Sequence, residues 1–214
     1  MAVVKVNLAG KPEFINFYYP GLICGVAPSM TSSGMAFSNN FVQSAAGNPD
    51  GVPHFFVFRS LLEAENVDEA ISKLENVLTC NAFHMNIASG TENRVVSVEK
   101  SDNTSCVFEV EGLYAHTNHF IQESMLNFPM ANDENSFTRY DILEADIAAY
   151  QDQLQNVDCD VLLDFVCDVA AVPDTTGGAT SGMTVGTSIF NMETGKWELY
   201  FNDPNDGLYQ KLKF

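Results

Sequence analysis

Val4, Val6 and Leu8 alternate with Lys5 and Asn7, and after the turn Gly10-Lys11-Pro12 comes the aromatic-rich run Phe14-Ile15-Asn16-Phe17-Tyr18-Tyr19. Every second residue of an extended chain points to the same face, so these two runs predict a β-hairpin. Pro20-Gly21 breaks it. Residues 22–28 lead to a turn signal, Met30-Thr31-Ser32-Ser33-Gly34, and to a further strand, Met35-Ala36-Phe37-Ser38-Asn39-Asn40-Phe41, which a glycine- and proline-containing loop over 45–53 closes. The period then changes. From His54 to Glu63 apolar residues fall on neighbouring helical turns, and Asn66 caps a second helix, Val67-Asp68-Glu69-Ala70-Ile71-Ser72-Lys73-Leu74-Glu75, with its acids at the start, where the helix dipole favours them. Strands resume over 83–88, 94–99 and 106–110, and the stretch Ala115-His116-Thr117-Asn118-His119-Phe120 ends this run. A second helical block is predicted over 136–153 and 160–169. Strands over 183–191 and 196–201 then flank Met192-Glu193-Thr194-Gly195, a hairpin turn with glycine at its tight position. The order β, α, β, α, β predicts an α+β fold in which helices cover the outer faces of stacked antiparallel sheets, with residues 1–214 forming one domain.

Composition narrows the partners. Ten basic against 28 acidic residues give a net charge of −18, which argues against nucleic acid, because phosphate contacts need clustered Lys and Arg. The same charge steers amine-bearing ligands favourably, although a solubilising acidic surface explains it too. Five cysteines, an odd number with no Cys-x-x-Cys pair, point to a reducing compartment, the cytoplasm, and away from a zinc ribbon. The opening residues are too polar and too short a run for a signal peptide or a membrane span, and no motif calls for a cofactor.

Chemistry concentrates in Ala115-His116-Thr117-Asn118-His119-Phe120, where two imidazoles, a hydroxyl and a carboxamide crowd together. Read as strand, the spacing of His116 and His119 sends them to opposite faces, and no third ligand stands nearby, so a metal site is not expected. One histidine then reads as a packed, hydrogen-bonded ring and the other as a support for Asn118. Among the thiols, Cys24 in Leu22-Ile23-Cys24-Gly25 is a nucleophile candidate by position only and reads first as a small apolar filler. Cys80, Cys106, Cys159 and Cys167 show no base partner in sequence. Asn39 and Asn40 near a strand end are candidate substrate contacts, against an ordinary turn role. Pro173-Asp174-Thr175-Thr176-Gly177-Gly178 lacks the ending of a phosphate loop and reads as a flexible loop.

Tyr19-Pro20-Gly21-Leu22-Ile23, Ser33-Gly34-Met35-Ala36, Gly51-Val52-Pro53, Arg59-Ser60-Leu61-Leu62-Glu63, Val67-Asp68-Glu69-Ala70 and above all His116-Thr117-Asn118-His119 resemble, in order, the acyl-coenzyme A:6-aminopenicillanic acid acyltransferase family of N-terminal nucleophile hydrolases. The resemblance returns from Thr187 to Pro204. It implies an αββα sandwich in which a precursor cleaves itself before a cysteine. The thiol of that cysteine is then the nucleophile and its freed α-amine, which titrates near neutrality, the base. It also implies that Asn118 donates to the oxyanion, that His116 and His119 support it, and that the substrate is a small amide or acyl thioester. The family's nucleophile strand precedes the one that resembles residues 2–8, so the chain is expected to be N-terminally truncated, its thiol supplied by a missing N-terminal segment or a second chain. A relative that binds without catalysis and a different nucleophile are the alternatives. The arginine that the family uses near the second helical block finds no counterpart over 166–182; the chain's arginines are Arg59, Arg94 and Arg139.

Overall fold

The computed structural model describes residues 2–26, 28–44, 47–130, 133–170, 172 and 186–201, and the backbone of 209–213. They form two compact units, one of Met1–Val110 with Phe120–Ala131, the other of Glu111–His119 with Asn132–Lys213.

The first unit is built on a seven-stranded sheet whose strands follow chain order: β1 (Ala2–Val6), β2 (Phe14–Tyr18), β3 (Ser29–Thr31), β4 (Met35–Phe41), β5 (Phe83–Ser89), β6 (Arg94–Ser101) and β7 (Thr104–Glu109). Every neighbouring pair is antiparallel, and the predicted hairpin forms with Val6 opposite Phe14. β3 falls where the sequence reads as a turn. It is too short to display an alternation, and it is a strand because Met30 pairs with Ile15 on one side and Ala36 on the other.

Between β4 and β5 come α1 (His54–Leu61) and α2 (Val67–Glu75). The Asn66 side chain accepts the Glu69 amide, which closes one of the donors that a helix start leaves open. One face of the sheet, with Phe37, Phe83, Met85, Ile87, Val96 and Val98, packs against Val57, Phe58 and Leu61 of α1 and Val67, Ala70 and Leu74 of α2. The rings of Phe58 and Phe83 meet edge to face at 4.8 Å. Each of these side chains larger than alanine contributes on the order of 1.5–3 kcal/mol by leaving water.

Lys100 follows Val96 and Val98 on that apolar face, fully buried, and its Nζ has no hydrogen-bond partner among the described residues. Burial holds its ammonium below the ordinary lysine value, with Asp102 and Glu75 pulling the other way. The fold therefore disfavours the charged form: the penalty is complete below the folded value and fades as pH rises from there toward the unfolded value, near 10.4. Lys100→Met should raise stability at pH 7 by about 1–3 kcal/mol, with the gain narrowing toward pH 10. Chemical denaturation at several pH values checks this; a variant less stable than the parent at pH 7 would refute it.

The opposite face carries a polar row, in which Asn40 lies opposite His84 and His84 opposite Glu99. His84 Nε2 is 2.8 Å from Ser97 Oγ. The buried Glu99 carboxylate accepts the backbone N–H groups of Ile121, at 2.7 Å, and Gln122, at 3.2 Å.

The second unit holds α3 (Glu134–Tyr150), a 3-10 segment Gln151–Asn156, α4 (Cys159–Ala170) and a three-stranded antiparallel sheet ordered β10 (Tyr209–Lys213), β9 (Lys196–Phe201), β8 (Gly186–Asn191). α3 starts earlier than its apolar pattern indicates because Asp133 caps it, accepting the Ser136 amide. The β8–β9 turn ends on Gly195 with φ +62°, a left-handed conformation that suits glycine. Trp197 is buried against Phe190 with ring centroids 5.1 Å apart, and Leu199 is fully buried beside it in β9. β10 was not expected. The loop 173–178 and the predicted strand start at Met183 lie outside the described residues. The class is α+β, with antiparallel sheets and helices packed on them, as the periodicities predict. No helix among the described residues is long and apolar enough to cross a membrane.

Candidate functional site

The stretch from Ala115 to Phe120 is irregular backbone with a bend at Asn118 and His119, and not the strand that the sequence suggests. The alternation argument for separating its two histidines therefore does not apply. What organises the stretch is the first turns of α3. Ser136, fully buried, sits at the hub: its Oγ accepts the backbone N–H of Asn118 at 2.8 Å and lies 2.8 Å from His119 Nδ1 and 3.0 Å from Thr117 Oγ1. The Thr117 hydroxyl donates to the Ser136 carbonyl at 3.0 Å. The His119 ring lies against Phe137 and Tyr140, at 4.5 and 5.2 Å between centroids. His116 is half-buried, and its Nδ1 lies 2.7 Å from the Thr117 carbonyl oxygen, to which it donates.

Arg139 is the residue that sequence reasoning missed. Its Nη2 donates to Asn118 Oδ1 at 2.7 Å, and its Nε donates to Asn135 Oδ1 at 2.8 Å. The second helical block does carry an arginine at the motif, on its first helix and not in the stretch 166–182 where it was sought. Position 139 lies one helical turn after both 135 and 136, but no local pattern ties these positions to the motif. With the carboxamide oxygen turned to a guanidinium, the Nδ2 end faces the other way, so Asn118 is oriented as a donor.

The remaining candidates lie in the first unit. β4 splits Asn39 from Asn40: Asn39 pairs opposite Met85 on the helix-covered face, and Asn40 opposite His84 in the polar row. Cys24 Sγ donates to Asn16 Oδ1 at 3.1 Å, which also accepts the Gly25 amide at 3.0 Å. Burial pushes the Cys24 thiol up, with the nearby Arg59 opposing, so the thiol form is favoured and the packed role with it. Cys80 gains a neighbour that its sequence position does not show. Its Sγ and His54 Nδ1 both approach Asn81 Oδ1, at 2.7 and 3.0 Å. The two groups thus share an acceptor. Burial lowers His54, Asn81 raising it in part, which works against the imidazolium that would sustain a thiolate. Among the described residues no three His, Cys, Asp or Glu side chains are placed to hold a metal.

The fold belongs to the N-terminal nucleophile hydrolase class. It is shared with two variants of the conjugated bile acid hydrolase of Clostridium perfringens. One, an arginine-to-leucine variant, matches with a TM-score of 0.59 and 13% identity over 95% of this chain and 82% of that one. The other, a cysteine-to-alanine variant, matches at 0.58 and 14% over 97% and 83%. No curated protein matches by sequence. The sequence profile of the acyl-coenzyme A:6-aminopenicillanic acid acyl-transferase family matches residues 1–206, and the chain belongs to that family.

Proposed function

We propose that residues 1–214 act as a single domain of an amide hydrolase or acyltransferase that works through a cysteine acyl-enzyme. A thiolate attacks an amide or thioester carbonyl, the amine or thiol leaves, and the acyl group passes to water or to an amine. Asn118 donates to the oxyanion, supported by His116 and His119, and Asn39 and Asn40 are candidate substrate contacts. The observation that carries this reading is the Arg139 hydrogen bond to Asn118 Oδ1, which presets the carboxamide before any charge develops.

The attacking thiol, in this reading, belongs to a cysteine that self-cleavage turns into a chain terminus. Support comes from the chain's own thiols: the two whose hydrogen bonds can be traced, Cys24 and Cys80, donate to carboxamide oxygens. Genomic sequence and intact mass test the proposal together. An in-frame upstream segment with a cysteine that becomes the new terminus, and a protein that splits into two chains, are the expected results. A stop codon just ahead of a functional start at Met1, with one uncleaved mass, overturns it and favours a non-catalytic binding protein on the same scaffold.

A further inference from the structure

We infer that Ser136 is a positioning residue for Asn118, its hydroxyl joining the Asn118 backbone, His119 and Thr117 at the start of α3. The inference rests on the oxyanion role proposed for Asn118. A serine hydroxyl has one proton and two lone pairs. Here the Thr117 hydroxyl gives its own proton to the Ser136 carbonyl, so the Ser136 proton goes to Thr117 Oγ1, Ser136 Oγ accepts the Asn118 N–H, and the His119 Nδ1–H points between Ser136 Oγ at 2.8 Å and Thr117 Oγ1 at 3.2 Å. This count selects the His119 tautomer that carries its proton on Nδ1. It also keeps the Ser136 hydroxyl engaged inside the cluster, so its contribution goes through Asn118.

The arrangement holds Asn118 at both ends from one helix face. Ser136 grips the backbone, and one turn later Arg139 grips the carboxamide, itself oriented by Asn135. A side chain held at one end only could pivot about its χ angles, and misplacing a donor by about 1 Å costs on the order of a hundredfold in rate. Ser136 also lies in the capped first turn, its amide bound to Asp133, so a role limited to starting the helix must be separated from a role in positioning.

Asp133→Ala removes the cap and leaves the hydroxyl in place, whereas Ser136→Ala does the reverse. In the full chain, with N-acyl-4-nitroanilides as probe substrates, Ser136→Ala should lower kcat roughly 10- to 100-fold and leave KM within about twofold. Asp133→Ala should lower Tm and keep kcat near the parent value. Equal loss of kcat in both variants, or parental kcat in Ser136→Ala when Asn118→Ala is slow, overturns the positioning role and leaves the oxyanion reading standing. Parental kcat in Asn118→Ala removes that reading first. A readout free of turnover accompanies the kinetics: in 15N-labelled protein, Ser136→Ala should speed hydrogen exchange of the Asn118 backbone amide at least tenfold and shift its side-chain NH2 signals. Unchanged exchange and shifts also overturn the inference.

Discussion

Replacing Asn118 by alanine should lower turnover by about a hundredfold or more, as loss of one oxyanion donor does. The parent side chain has its oxygen on Arg139 at 2.7 Å and its N–H2 end turned away, the orientation that the proposed oxyanion role requires. Alanine removes that donor and deprives the guanidinium of an acceptor, so some loss of stability is expected along with the loss of rate. Asn118→Asp separates the two effects. An aspartate keeps the shape and strengthens the pairing with Arg139, yet offers a carboxylate where the mechanism needs an N–H. Tm should therefore hold or rise in Asn118→Asp while kcat falls at least as far as in the alanine variant. Initial rates and calorimetry measure both quantities. If the aspartate variant turns substrate over at the parental rate, Asn118 has no part in oxyanion stabilisation.

The largest effect on folding is expected at Gly51. A Cβ there would lie 2.3 Å from the Thr79 carbonyl carbon, 2.4 Å from the Cys80 nitrogen and 2.5 Å from the Thr79 oxygen. These are backbone atoms, and they are not free to give way. The parallel bridge of Val52 with Thr79 is tied by Val52 N to Leu78 O at 2.8 Å and Cys80 N to Val52 O at 3.0 Å. Gly51→Ala must break this stitch or displace residues 78–81, which lead into β5. The expected cost is roughly 3 kcal/mol or more, a fall in Tm of roughly 6–12 °C for a domain of this size. Gly10→Ala is the control. Gly10 has φ +73° with nothing within 4 Å of a built Cβ, so alanine there meets conformational strain alone, about 1–2 kcal/mol. A Gly51→Ala protein that melts no lower than Gly10→Ala would show that the loop yields cheaply.

Local pattern accounts for most of the elements. Alternation placed β1, an aromatic-rich run placed β2, a turn signal placed β4 after it, helical spacing and an asparagine cap placed α2, and Thr194-Gly195 placed the last predicted hairpin, because each rests on residues close in the chain. The short β3 and the late β10 carry no such signal. Their strand character comes from pairing with partners on either side or beside them, which only the assembled sheet supplies. Lys100 shows the same limit from the other direction: a lysine in an alternating run reads as solvent-facing, and α2 packed over the sheet is what buries it.

At the candidate site, residue types and their order were enough to single out His116, Thr117, Asn118 and His119, and the chemistry proposed for Asn118 came from the family resemblance that they carry. They did not give the geometry. The stretch reads as strand from its composition, yet it is bent, because its hydrogen bonds go to α3 and not to a neighbouring strand. Arg139 and Ser136 lie about twenty residues further on and share no local pattern with the motif. Nothing short of the folded chain could bring a guanidinium to the Asn118 oxygen and a hydroxyl to its amide. A residue's chemistry is a property of its side chain and is legible at once. Its orientation is set by partners distant in sequence, and those are chosen only when helix and loop pack together.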